Sequence, residues 1–158
     1  MLGLSFIISI LIVVFEEVMK MDENRISIVI STGTEEKMIM LGVLAQTAAN
    51  LGMGMSIFVT GTALKMFLKN GFMEKSVVPA GFESFMGELR EGLAKVKFPG
   101  WHSLLETAKE TGSLKIMACS LMSSALNLKM ADLDSLVDGI VGATDFMINS
   151  GGGQIIAL

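Results

Sequence analysis

The chain has 158 residues and a formal net charge of −4; 51% of it is hydrophobic and 6% aromatic, with no tyrosine and 14 methionines. That is length enough for one domain with a sizeable core of aliphatic and thioether side chains. It argues against nucleic acid as the main partner, because no basic stripe exists to release counterions; one cysteine and one histidine also exclude a disulfide scaffold and are too few for the usual Cys/His zinc site.

The first element is apolar. Leu2 to Phe15 reads LGLSFIISILIVVF, without a charge, and Glu16 and Glu17 follow at once. A spanning helix needs about 20 apolar residues, and the run lacks the basic and small flanks of a signal peptide. Three readings fit residues 1–20: an upstream extension with the start at Met19 or Met21, an apolar helix in an oligomer interface, or a weak membrane anchor. The rest, 21–158, reads as one α/β domain.

Arg25 to Ile30 (RISIVI) is a β-branched run, hence a buried strand, and it ends in the turn Ser31, Thr32, Gly33, Thr34. A helix follows to about Asn50. Glu35 and Glu36 put negative charge in its first turn, where the helix dipole favours it. Met38, Leu41, Ala45 and Ala48 recur at helical spacing, and Gly52 suits the position just past the end. Met55 to Thr60 is a second strand, and Thr60, Gly61 and Thr62 open a short helix over 63–68. Two consecutive βα units imply a parallel sheet.

Residues 71–100 break this rhythm with both prolines, Pro79 and Pro99, and five glycines. A helix at about 82–96, with Phe82, Phe85, Met86 and Leu89 on one face, makes this an excursion from the sheet, a lid or an interface element. Trp101 to Thr111 is helical. Leu114 to Ala118 is the third strand and Cys119 follows directly, with a helix expected over 120–128. Leu136 and Val137 read as a very short fourth strand. A helix over 142–150, closed by Gly151, Gly152 and Gly153, leads to a last strand at 154–158.

In an open parallel sheet, ligands bind beyond the carboxyl ends of the strands. The loops expected there hold Thr32 and Gly33, Thr60 and Gly61, Cys119 and Ser120, and Asp138 and Gly139. At a strand-to-helix junction the helix N–H groups favour an anion, so Cys119 is either a reactive thiolate or an inert buried thiol. His102 is either a base for Cys119 or a surface or capping histidine. No G-x-G-x-x-G or G-x-x-x-x-G-K-[ST] pattern occurs, so no nucleotide cofactor is expected, and no G-x-S-x-G elbow supports a serine triad. A peroxidatic thiol is usually served by a nearby arginine or a resolving cysteine. Arg25 and Arg90 fall elsewhere, and a second cysteine is absent.

Three stretches resemble the DsrE/DsrF-like family of small sulfur-relay proteins, in the branch formerly described as peroxiredoxin-like. They are Ile28 to Gly33 with the helix running on to Gly52, Met55 to Thr60, and Leu114 to Met122 with Leu136 to Ala143. The last is the most specific, setting a cysteine after a strand and a V-D-G turn some twenty residues on. The resemblance implies a flavodoxin-like, mostly parallel five-stranded sheet flanked by helices and homo-oligomeric assembly; the single cysteine by itself suits a reducing, cytoplasmic setting, and no cofactor is expected. The resemblance also implies that Cys119 holds transferred sulfur, delivered by a donor and handed to an acceptor protein. Ser120, Thr32, Gly33, Thr60 and Gly61 would line the site through hydroxyls and backbone donors. The competing reading is a non-catalytic oligomeric interaction module with a structural cysteine, and membrane association is the weakest expectation.

Overall fold

A computed structural model describes residues 8, 25–71, 77–150 and 153–158. The three readings of the apolar segment 1–20 therefore concern residues that, Ile8 apart, lie outside the described ones, as do Gly151 and Gly152.

Five strands form one sheet: β1 (Arg25–Ile30), β2 (Gly54–Val59), β3 (Leu114–Cys119), β4 (Gly139–Val141) and β5 (Gln154–Ala157). All neighbours are parallel, in the order β4-β3-β2-β1-β5. Among the described residues the α-helices of the domain are α1 (Glu35–Asn50), α2 (Glu83–Lys95), α3 (Trp101–Thr111), α4 (Ser120–Ala125) and α5 (Ala143–Asn149). This is the α/β, flavodoxin-like arrangement expected of the sequence.

The strand order decides how each face is covered. From β1 to β4 the chain steps across the sheet in one direction, so right-handed crossovers put those connections on one face. Only the return from β4 to β5 crosses the opposite face, and α5 is its helix. Strand alternation sorts the side chains accordingly. Ile28, Ile30, Ile57, Val59, Ile116 and Ala118 join the main core, against Met38, Leu41 and Ala45 of α1 and Trp101, Leu105 and Ala108 of α3. The intervening residues Phe58 and Cys119 form a second, smaller cluster with Phe146 of α5. Val29, Met117, Met122 and Val141 pack around it, half-buried.

Four local expectations change. The helix over 63–68 is a 3₁₀ helix, Gly61–Phe67. Cys119 is the last residue of β3 rather than the first after it, and α4 stops at Ala125. The fourth strand is not Leu136 and Val137. These two are buried in a turn in which Asp134 accepts hydrogen bonds from Leu136 N–H at its carboxylate (2.9 Å) and from Val137 N–H at its carbonyl (3.0 Å). Strand pairing starts only after Asp138, whose N–H donates to Ile116 O (2.7 Å) and whose carboxylate accepts from Ile116 N–H (2.8 Å). Finally, α2 buries Met86 alone from its expected apolar face, leaving Phe82 and Phe85 exposed. A bidentate ion pair from Arg90 to Glu35 ties it to the start of α1. The hydrogen bond and then the charge of Glu35 raise the Arg90 pKa. Among the described residues no helix is long and apolar enough to cross a membrane.

The main core fixes one close approach. A Cβ on Gly42 of α1 would stand 2.9 Å from both the Cα and the carbonyl oxygen of Trp101 at the start of α3. Helix propensity alone would make Gly42→Ala stabilising by about 1 kcal/mol. Overpacking against backbone costs about 1–3 kcal/mol. Gly42→Ala is therefore expected to lower the urea midpoint, and Gly42→Val to lower it further. A raised midpoint for both would show that the helices can separate freely.

Candidate functional site

Cys119 is held where β3 turns into α4, extended at φ −67° and ψ 121°. It pairs with Val141 of β4. On its other side Ala118 pairs with Val59, so Thr60, the residue after that strand, stands level with Cys119. Parity puts the thiol on the face that carries α5, where it is 6% exposed. Phe146 stacks on Phe58, with ring centroids 4.9 Å apart and planes at 29°, and closes the cluster over the sulfur. Cys119 is a free thiol, and among the described residues it has no hydrogen-bond partner. Its side chain makes no capping bond to α4, a helix of six residues. In this conformation the thiol is sheltered by apolar atoms rather than supported by helix N–H groups.

The other residues expected at the site fall into two groups. Ser120 and Thr60 are half-buried beside Cys119 at the carboxyl edge. Ser120 Oγ lies 4.0 Å from where a Cβ on Gly142, the residue before α5, would be. Thr32, Gly33 and Gly61 belong to the two loops above β1 and β2, which are bound to each other. Gly33 N–H donates to Thr62 Oγ1 (3.3 Å), and Ala63 N–H to Ser31 O (3.3 Å). Gly61 has φ +53°, and a Cβ there would sit 2.4 Å from Ser31 O. Both glycines are explained by loop-to-loop packing, and the Gly33 N–H is engaged within it. Thr32 stands half-buried at the edge of this pair.

His102 does not serve Cys119. It lies on α3, which packs in the main core on the other side of the sheet. Its Nε2 is 3.2 Å from Asp134 Oδ2, and its Nδ1 is 3.6 Å from Glu106. The expected V-D-G turn is structural too: Asp138 joins β3 to β4 as described and pairs with Lys109 at 2.5 Å. Among the described residues no group of three or more His, Cys, Asp or Glu side chains could hold a metal ion.

The sequence reading missed a groove beside the Cys119 cluster. About 250 Å³ in volume, it lies between the sheet and α5 and shares Met117, Val141 and Phe146 with that cluster. Arg25, Ser56 and Lys115 line its floor from three strands, and Asp145 and Asn149 its rim from α5. Only the strand register brings these residues together.

No family model matches the chain, and no curated protein matches it. Among solved structures, the chain is similar to a protein of unknown function, MTH1491, from Methanobacterium thermoautotrophicum, at 12% identity, TM-score 0.47, and coverage of 86% of this chain and 100% of that one. It is also similar to the ychN protein from E. coli, at 9% identity, TM-score 0.51, and coverage of 86% and 99%. The second likeness supports the fold.

Phe146 is the one buried residue of α5. Phe146→Ala is expected to cost about 3–5 kcal/mol at most and to speed labelling of Cys119 by an aromatic disulfide reagent by about ten-fold as the cover loosens. The rate is to be read under conditions where circular dichroism shows the sheet intact. An unchanged rate with Phe146 truncated would rule out α5 as the cover of the thiol.

Proposed function

We propose that this protein is a sulfur carrier of the DsrE-like kind, in which Cys119 alone accepts sulfane sulfur and passes it to a partner thiol. The observation that carries the reading is the position of Cys119. It ends a central strand of a parallel sheet, at the edge where such folds bind ligands, under a cover of two helical turns. The sequence resemblance, which matches Cys119 to the family's sulfur-bearing cysteine, supports the same reading.

The chemistry needs one thiol. The Cys119 thiolate attacks the outer sulfur of a donor persulfide; a new S–S bond forms, the donor S–S bond breaks, and the donor leaves as its thiolate. Cys119 then carries the persulfide. An acceptor thiolate attacks that outer sulfur in turn, and Cys119 leaves as thiolate. There is no net oxidation, so no redox cofactor or resolving cysteine is called for. Burial suits the loaded state, because a sheltered persulfide escapes reduction by passing thiols. Loading and unloading require α5 to swing away, which its single buried anchor permits. A reducing compartment such as the cytoplasm fits a thiol of this use.

A second reading has its own observation. The 6% exposure of Cys119 and its apolar neighbours suit a structural cysteine. Leu121 of α4 and Met147 and Ile148 of α5 are exposed around it, at 74%, 53% and 72%. They suit a contact with another copy or a partner, as in a non-catalytic oligomeric module. In the carrier reading the same residues receive the donor or acceptor protein.

Intact-mass spectrometry after exposure to polysulfide separates the two. The carrier reading expects one added sulfur on Cys119, removed by a thiol acceptor and absent from Cys119→Ser. A Cys119 that stays unmodified while a control protein thiol is loaded would leave the interaction module as the function.

A further inference from the structure

We infer that the groove beneath α5 binds a small amino-acid or peptide thiol through its carboxylates, and presents the sulfur of that molecule to Cys119. The choice of a sulfur-bearing ligand rests on the carrier reading; the charge of the site does not.

Arg25 lines the groove from the edge of β1. It is the first residue of β1 and points to the α5 face, by alternation with the core residue Ile28. Its neighbours in register are Gly54 of β2 and, one step before the Gln154 pair, Gly153 before β5. Neither carries a side chain, and a Cβ on Gly54 would lie 3.5 Å from Arg25 Cγ. The guanidinium thus has a bare strip of sheet across which to lie. Lys115 rises from β3 on the same face, level with Ser56. Both cations are exposed, and neither has an ion pair or hydrogen bond from its side chain among the described residues. Two unpaired cations therefore share one groove. Asp145 stands opposite on α5, and the Ser56 hydroxyl adds a polar contact, while the Asn149 side-chain amide N–H donates to Asp145 O at 2.7 Å.

This set complements an amino-acid or peptide thiol, which carries carboxylates and an ammonium on one short chain. A simple inorganic anion would leave Asp145 facing like charge. Length agrees as well. Lys115 and Cys119 are four residues apart on one strand, about 13 Å at about 3.3 Å per residue, a gap that the flexible lysine stem and a short peptide thiol span together. Phe146, Met117 and Val141 lie between, on the boundary shared by groove and thiol cluster. The α5 movement that uncovers Cys119 would join the two spaces. The step is then the one already given: the ligand's persulfide gives its outer sulfur to Cys119 and departs as thiolate.

Glutathione is a suitable probe, titrated into the Cys119→Ser protein so that no sulfur chemistry intervenes. The readout is the NMR signal of isotopically labelled methionine methyls. The Met117 methyl is expected to shift saturably, while Met38, buried across the sheet, stays put. The double variant Arg25→Gln, Lys115→Gln changes exposed side chains only and should bind about ten-fold more weakly or worse, the loss of charge-assisted hydrogen bonds. Glutathione diethyl ester, lacking both carboxylate charges, should fail in the same way. No saturable shift at Met117, or equal binding by the ester, overturns the inference. If the groove binds glutathione but wild-type Cys119 never takes up sulfur, the carrier reading falls and the groove stands. If Cys119 loads normally and the groove binds nothing, this inference alone falls.

Discussion

A right-handed crossover can cover only one face of the sheet for a given direction of travel, and the rest of this structure depends on that constraint. Three successive steps, β1 to β4, commit α1 and α3 to one face and build the main core there. Among the described residues, one return step leaves the other face to α5, seven residues long and anchored by Phe146. The asymmetry is topological before it is chemical. It makes one face a sealed interior and the other a thin cover over a thiol, a pair of stacked rings and a charged groove.

The energetic consequence follows from numbers of buried side chains. Met38, Leu41, Trp101, Leu105 and their strand partners are nearly all shielded, so the main core holds the domain's stability. The small cluster of Phe58, Cys119 and Phe146 holds the lesser share of it. An element tied down by one aromatic residue opens at a lower cost than the domain unfolds. Function, in this account, uses the difference: the sheet sets the position of the sulfur, and the weak helix sets its access.

Much of this was legible in the sequence, for definable reasons. β1 and α1 were plain because a β-branched run, a turn and an acidic first turn all pointed the same way. Cys119 was placed within one residue of its real position, since Leu114, Ile116 and Ala118 already alternate with Lys115, Met117 and Cys119. What covers that outer set was not readable, because the strand order decides it and no local pattern encodes strand order. The fourth strand was misread at Leu136 and Val137, where Asp134 bonds the backbone into a turn and outweighs two β-compatible side chains. The roles of Gly33 and Gly61 were ambiguous for a similar reason. Glycine allows both a ligand and another loop to come close, and here the neighbouring loop takes the space. Arg25, Ser56 and Lys115 were invisible as a group, being single residues on three strands that only the register assembles.

Native-state hydrogen exchange tests the central claim most directly, by comparing the amides of α5 with those of Ile57 and Ile116 in the centre of the sheet. The account predicts that α5 exchanges through local opening, with a free energy well below that of global unfolding, and that Cys119 alkylation follows the same opening. Protection of the α5 amides equal to that of Ile57 and Ile116 would contradict it, because the thiol would then be sealed as firmly as the core.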